Sequence, residues 1–166
     1  MKLNIINKLK YFYFLSGFLV FNQNSFAYSE AQIGAYGVFF PQQNLDNDTF
    51  NPFGGWSVKA DIMNNSGFSF GLGHTWSPGY RWVDIRETYW FQEHMYGIYL
   101  GLEQHIQYFN NTGFGIGLNL GYMIPLTYYI NFNIDGEAGY GSNKFYRSIY
   151  DPFYFNVSAG FSINIM

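Results

Sequence analysis

Cysteine is absent from this chain of 166 residues, charge is scarce, and no long apolar run follows the first 27 residues. Without cysteine there is no disulfide framework, no thiolate metal site and no lipoprotein-type anchor on cysteine. Charged residues make up only 11% of the sequence, whereas they make up about a quarter of a soluble domain. Part of the surface is therefore expected not to face water. A membrane helix needs roughly 20 apolar residues, so none is predicted beyond the N-terminal segment.

Aromatic residues and glycine are abundant instead. Aromatics form 23% of the sequence and there are 19 glycines. Low charge, many aromatics and no helical span are typical of a transmembrane β-barrel, in which alternation of apolar and polar positions dilutes the hydropathy. The length leaves room for one domain.

The first 27 residues have the three parts of a secretory signal peptide. Three lysines precede an apolar run at positions 11–21, and Ser25-Phe26-Ala27 places small residues at the two positions that signal peptidase reads. We predict a signal peptide at 1–27 and a mature barrel at 28–166, with cleavage after Ala31 as the alternative. The mature chain then has five basic and eleven acidic residues, a net charge of −6, which argues against binding nucleic acid.

At the other end, residues 153–165 alternate between an apolar face and a small or polar face. Period two over this length predicts a strand long enough to cross a bilayer at a tilt. The segment also resembles the C-terminal assembly signal of outer-membrane barrel proteins, which reads polar, any, Gly, any, any, apolar, any, apolar. The residues that match this signal are Ser158, Gly160, Phe161, Ile163 and Ile165. The usual final aromatic residue is replaced by Met166.

Alternation and turn residues divide the mature chain into eight predicted strands. They lie at about 31–40, 55–63, 68–76, 80–90, 95–107, 114–122, 130–138 and 153–165. An even number with both termini in the periplasm predicts an eight-stranded antiparallel up-and-down transmembrane barrel whose long loops, 41–54 and 142–152, face outside. Glu87 falls on an outward face of the fourth strand, so either it lies near a membrane interface or this segment is partly a loop.

The predicted inward faces are polar and carry eight ionisable residues. These residues are Lys59, Asp61, Asp84, Arg86, Glu103, His105, Asp135 and Glu137. A barrel of eight strands is just wide enough for its side chains to fill it, so we expect a plugged lumen in which these charges are paired. Acids outnumber Lys and Arg by five to two, which leaves open a narrow cation-preferring gate or a catalytic cluster.

No motif predicts an enzyme, a metal site or a cofactor. Lipid-deacylating barrels have the pattern His-x-Ser-Asn, but no serine lies within six residues of His105, and a hydroxyl nucleophile needs a base within hydrogen-bond reach. Asp46-Asn47-Asp48 resembles the start of a calcium loop without the Gly and Glu that must follow. His74 is expected in an interfacial aromatic belt.

Over nearly its whole length the mature chain resembles the small eight-stranded outer-membrane proteins typified by the OmpA membrane domain, OmpX and OmpW. The resemblance implies a monomer in the cell outer membrane, in contact with lipid and lipopolysaccharide and inserted by the barrel-assembly machinery. It implies a structural or surface-interaction role, with a narrow channel for small solutes or, less favoured, an acyl hydrolase of lipid A as alternatives. No cofactor is implied.

Overall fold

Alternating apolar and polar residues form long strands in most of the part of the chain that the structure describes. A computed structural model describes residues 28–40, 43–44, 49–50, 53–64, 66–78, 80–92, 94–109, 112–142 and 153–165. The strands are β1 Tyr28–Phe40, β2 Gln43–Asn44, β3 Thr49–Phe50, β4 Phe53–Asn64, β5 Phe68–Ser77, β6 Tyr80–Trp90, β7 Gly97–Gln107, β8 Gly113–Pro125, β9 Ile130–Gly141 and β10 Phe153–Asn164. The predicted signal peptide, the Asp46-Asn47-Asp48 segment and most of the loop at 142–152 lie outside the described residues.

Eight of these strands close into one antiparallel barrel. Each long strand pairs with the next in sequence from β4 to β10, and β1 pairs with both β4 and β10. The prediction of an all-β, eight-stranded antiparallel barrel is therefore confirmed. The short strands β2 and β3 pair only with each other, inside the segment that was predicted as a long polar loop.

No helix among the described residues is long and apolar enough to cross a membrane.

Short turns set the register at one end of the barrel. Between β4 and β5, the Asn64 side-chain oxygen accepts the backbone N–H groups of Ser66 and Phe68, and Gly67 has a positive φ of 80°, which glycine adopts without steric cost. Between β8 and β9, the Thr127 hydroxyl accepts the N–H of Ile130. β1 begins and β10 ends here, so we call it the terminal end, and the opposite end the loop end.

Burial is inverted relative to a water-soluble barrel. Among the described residues, 21 polar or charged side chains are buried against ten apolar ones, and thirty large apolar side chains are exposed. Strand alternation explains the pattern, because successive residues point to opposite faces of the barrel wall. The polar residues therefore fill the inside and the apolar residues cover the outside.

The weakest predicted strand is continuous in the structure. β6 runs without a break from Tyr80 to Trp90 and pairs along its length with β5 and β7. Glu87 is half-buried on the outward face, three residues from the terminal end of the strand and opposite Phe70 and Leu102. Of the two alternatives for Glu87, the structure favours a position near the end of the barrel.

Candidate functional site: the charged lumen

All eight ionisable residues that the sequence places on inward faces are buried inside the barrel, each less than 8% exposed. They come from β4, β6, β7 and β9. Because inward positions on neighbouring strands are often glycine, long side chains from more distant strands can meet across them. Gly71 is one such position, where an added Cβ would collide with the Asp61 carboxylate.

Asp61 and Arg86 form a two-pronged ion pair across β5. Arg86 Nε donates to Asp61 Oδ1 at 3.1 Å and Nη2 donates to Oδ2 at 2.5 Å. This fork geometry makes arginine a stronger and more directional partner of a carboxylate than lysine. The only other side-chain donor to Asp61 among the described residues is the Gln32 amide, at 3.5 Å. The buried Asp61 carboxylate therefore depends mainly on Arg86 to compensate its charge.

Lys59 and Glu103 form the second ion pair. The Lys59 ammonium lies 3.0 Å from Glu103 Oε1 and 5.7 Å from the centre of the Tyr36 ring. The Asn119 amide donates to Glu103 Oε2 at 3.4 Å. The pair joins β4 to β7, which are separated in the barrel wall by two strands.

His105 lies between two carboxylates. Its Nδ1 is 2.6 Å from Asp84 Oδ1 and its Nε2 is 2.6 Å from Glu137 Oε1. When both acids are ionised they can only accept hydrogen bonds, so both ring nitrogens donate, which is the arrangement of an imidazolium. In that state His105 is a third cation of the lumen beside Lys59 and Arg86.

Neutral donors complete the solvation of the remaining carboxylate oxygens. The Thr75 hydroxyl donates to Asp84 at 2.8 Å. Glu137 accepts from the Tyr154 hydroxyl at 2.5 Å and from the Asn156 amide at 2.7 Å. These donors were not identified from the sequence, because hydroxyl and amide groups on inward faces carry no signal of which acid they will meet.

Asp135 differs from the arrangement expected from the sequence. Aligning the strands through their turns predicts that Glu103 and Asn119 lie at the height of Asn133 or Asp135. Two carboxylates there would need a cation between them, and Lys59 and Arg86 are the candidates. Among the described residues Asp135 makes no salt bridge, and it accepts hydrogen bonds from Tyr99 at 3.2 Å and Ser158 at 2.8 Å. Arg86 is drawn to Asp61 instead, because the two lie across the small Gly71.

Apolar clusters lie inside the barrel towards both ends. At the loop end Val38, Phe40, Trp82 and Tyr154 pack together, with Tyr80 against them. At the terminal end Met63, Trp90, Met95, Tyr99 and Met123 pack together. The charged network therefore lies between two apolar clusters, an environment in which unpaired charge is costly.

Each ionisable side chain of the lumen already has a hydrogen-bond or ion-pair partner there. Asp84, Glu103 and His105 bring possible metal-ligand atoms within 4.8 Å of one another. A metal ion there would have to displace His105 from a carboxylate and share Glu103 with the Lys59 ammonium. The hydroxyls that touch the acid–base cluster, those of Thr75 and Tyr154, both donate to carboxylates. The geometry is that of a paired charge network.

Outside the barrel, aromatic side chains gather near the two ends of the wall. At the loop end the Trp56 and Trp76 rings stack with centres 4.0 Å apart, and His74 packs on Trp76 at 3.7 Å. His74 also forms a hydrogen bond with the Tyr108 hydroxyl. At the terminal end Phe68, Tyr89 and Phe91 form a chain of ring contacts. Exposed leucines such as Leu72, Leu100, Leu118 and Leu120 lie between the two groups.

The assembly-signal residues are distributed over both faces of β10. Phe161, Ile163 and Ile165 are more than half exposed on the outside, whereas Ser158 and Gly160 face inward. An added Cβ at Gly160 would meet the backbone of Ala35 and Tyr36 on β1. The glycine therefore permits close contact at the seam where the last strand closes on the first.

Sequence reasoning missed one contact at the terminal end. Glu30 on β1 reaches the turn between β6 and β7, where its carboxylate lies 2.5 Å from His94 Nδ1 and accepts the Met95 N–H at 2.8 Å. Nothing in the sequence pairs these residues, since β1 and this turn are 64 residues apart and lie on opposite sides of the barrel.

No family model and no curated protein matches the chain.

Proposed function

We propose that this chain is an outer-membrane β-barrel protein with a structural or surface-interaction role and a closed, polar lumen. The observation that carries the proposal is the outer surface of the barrel. An aliphatic belt flanked by aromatic rings covers the outside, while the eight ionisable residues of the lumen are inside. This is the pattern that a lipid bilayer imposes on a barrel, with aromatic girdles at its two interfaces.

The dimensions of the barrel support a membrane location. The eight barrel strands have 10–13 residues, and a transmembrane strand needs about 9–11 residues at a tilt. Closure also pairs every wall strand on both edges, which the hydrocarbon region requires because it offers no water to unpaired backbone groups. Glu87, the outward carboxylate, lies three residues from the terminal end of β6, opposite Phe70 and Leu102.

The closed lumen favours a structural role over a channel or an enzyme. Three ion-paired groups span the interior and two apolar clusters cover its ends. Ions would have to break buried pairs to pass, and a lipid substrate would have to cross an apolar cluster to reach His105. In this proposal the loops at the loop end face outside the cell and carry any contact with other molecules.

We also propose how the chain is exported, how it is inserted and which lipids surround it. The signal peptide at 1–27 directs the chain out of the cytoplasm, the barrel-assembly machinery reads the residues around Phe161, and the mature barrel is monomeric among lipid and lipopolysaccharide. It uses no metal or cofactor and binds no nucleic acid.

Cell fractionation tests the location. We expect the mature protein to begin at Tyr28, to sediment with outer membranes and to migrate differently on gels before and after boiling, as folded barrels do. Retention of Met1 or recovery in the soluble fraction would refute the membrane assignment.

Planar-bilayer recording tests the closed lumen. We expect no discrete conductance steps from the purified barrel. Large, regular steps would replace the structural role with that of a small-solute channel, which shares the same fold and location.

A further inference from the structure

The apolar cluster at the terminal end combines four side chains of the wall strands with one from the turn between β6 and β7. We define the Met95 plug as residues 94–96, in this turn. Met95 is only 2% exposed and packs with Met63, Trp90, Tyr99 and Met123 across the mouth of the barrel. Its neighbours His94 and Tyr96 are exposed. The plug thus consists of one inserted side chain on an otherwise solvated segment.

One carboxylate ties this segment to the far wall. Glu30 lies on β1, which pairs with β4 and β10, whereas the plug continues into β7 on the other side of the barrel. One oxygen of Glu30 contacts the His94 ring at 2.5 Å and the other accepts the Met95 N–H at 2.8 Å. The ring of His94 is 60% exposed and the Glu30 side chain 24% exposed, so both reach solvent.

The segment has a hinge at its junction with the wall. Gly97, the first residue of β7, has a φ of 79°, a conformation that residues with a Cβ rarely adopt. At the other side of the turn, the Phe91 N–H donates to the Ile98 carbonyl and closes the base. Residues 94–96 form no strand pair with the wall, so they can move while Gly97 keeps its pairing with Met123.

We infer that the Met95 plug is a movable closure of the terminal mouth and that Glu30 is the latch that holds it shut. Release of the latch would admit water and small ions to the lumen from the terminal side only. The loop end has a separate cluster of its own, built on Val38, Phe40, Trp82 and Tyr154. The inference rests on the closed lumen proposed above and adds a route by which it opens.

Two single-cysteine reporters can test this, because the chain has no cysteine of its own. Thr88 and Ser57 are both buried in the lumen, and their hydroxyls make no hydrogen bond to any described residue. Thr88→Cys lies two residues from Trp90 behind the plug, and Ser57→Cys lies beside Tyr36 and Thr75 towards the loop end. Neither change removes a described contact of the latch.

The Glu30→Gln substitution is used to weaken the latch. The rate at which a small water-soluble thiol reagent labels each cysteine is then measured on the folded barrel in detergent. The change removes the charge that binds His94 and weakens the bond to the Met95 N–H. We expect Thr88→Cys to react about tenfold faster, the factor expected for one lost charge-assisted hydrogen bond. Ser57→Cys should not change. Met95→Ala should accelerate Thr88→Cys in the same way.

Glu87→Gln is the matched control, since Glu87 makes no hydrogen bond or ion pair with other described residues and lies outside the barrel. It should leave both rates unchanged. If Glu30→Gln leaves Thr88→Cys slow, or accelerates both reporters alike, the latch is refuted while the closed lumen stands. If both reporters already react fast in the parent barrel, the closed lumen itself fails. Rates are compared only for samples that migrate as folded barrel on gels.

Discussion

Replacing Arg86 by methionine should destabilise the barrel more than any change to an exposed charge. Methionine keeps the length of the side chain but removes both donors to Asp61, at 3.1 and 2.5 Å, together with the positive charge. The Asp61 carboxylate is only 1% exposed and, among side-chain donors of the described residues, retains just the Gln32 amide at 3.5 Å. Removing one partner of such a buried pair typically costs about 3–5 kcal/mol, so we expect a loss of that size in Arg86→Met.

Lys59→Met provides a graded comparison within the same network. Glu103 keeps the Asn119 amide at 3.4 Å after the lysine is removed, and the lost pair lacks the two-pronged geometry. The loss of unfolding free energy should therefore be smaller than in Arg86→Met. Combining Arg86→Met with Asp61→Asn should recover most of the loss, because position 61 then no longer carries the charge that Arg86 compensated.

The measurement is denaturant unfolding of the barrel refolded into phospholipid vesicles, followed by tryptophan fluorescence and fitted by linear extrapolation. Arg81→Met is the control: Arg81 is exposed at the loop end, its guanidinium 4.6 Å from the Phe109 ring centre, and its loss should cost about 0.5–1 kcal/mol. The reasoning is refuted if Arg86→Met loses no more stability than Arg81→Met, or if the double variant is no better than Arg86→Met alone.

Three further predictions concern other parts of the barrel. Leu118→Arg, on the aliphatic belt and 62% exposed, should cost about 2–4 kcal/mol in vesicles, against about 0–1 for Tyr128→Arg in a terminal turn; equal costs in the same titration would argue against a bilayer around the belt. Gly117→Ala should destabilise the barrel by about 1–3 kcal/mol through overpacking, because its Cβ would press on the Glu137 carboxylate and the Tyr154 hydroxyl, whereas Gly136→Ala meets only a backbone oxygen at 3.9 Å and should be neutral. Nitrogen-15 spectra should show protons on both ring nitrogens of His105, and a single protonated nitrogen would contradict its place between two carboxylates.

The fold could be predicted because each strand carries its own signal. Period-two alternation at 153–165 identifies β10 to within a residue, and the alternation at 55–63 identifies the centre of β4, which extends to Phe53–Asn64. Boundaries were less predictable where backbone pairing continues beyond the alternating side chains. β1 starts at Tyr28 rather than Ala31 because its backbone continues to pair with β4 there.

The lumen residues could also be predicted, but their partners could not. Alternation indicates which side chains face inward, whereas partners depend on stagger and curvature around the whole barrel. Lys59 faces Glu103 across two intervening strands, and Asp135 is solvated by Tyr99 and Ser158 rather than by a cation. Neither contact can be predicted from the spacing of residues along the sequence. Both depend on the stagger between the strands in the closed barrel.

The distance between partners along the wall bears on how the protein folds. Lys59 and Glu103 lie on β4 and β7, three strand spacings or about 14 Å apart in a flat sheet, beyond the reach of a salt bridge. An open, uncurled sheet would therefore present these charges unmatched to its surroundings, and only closure of the seam between β1 and β10 brings them together. Partly closed sheets are disfavoured for this reason, so we expect strand closure and charge neutralisation to occur in a single cooperative step.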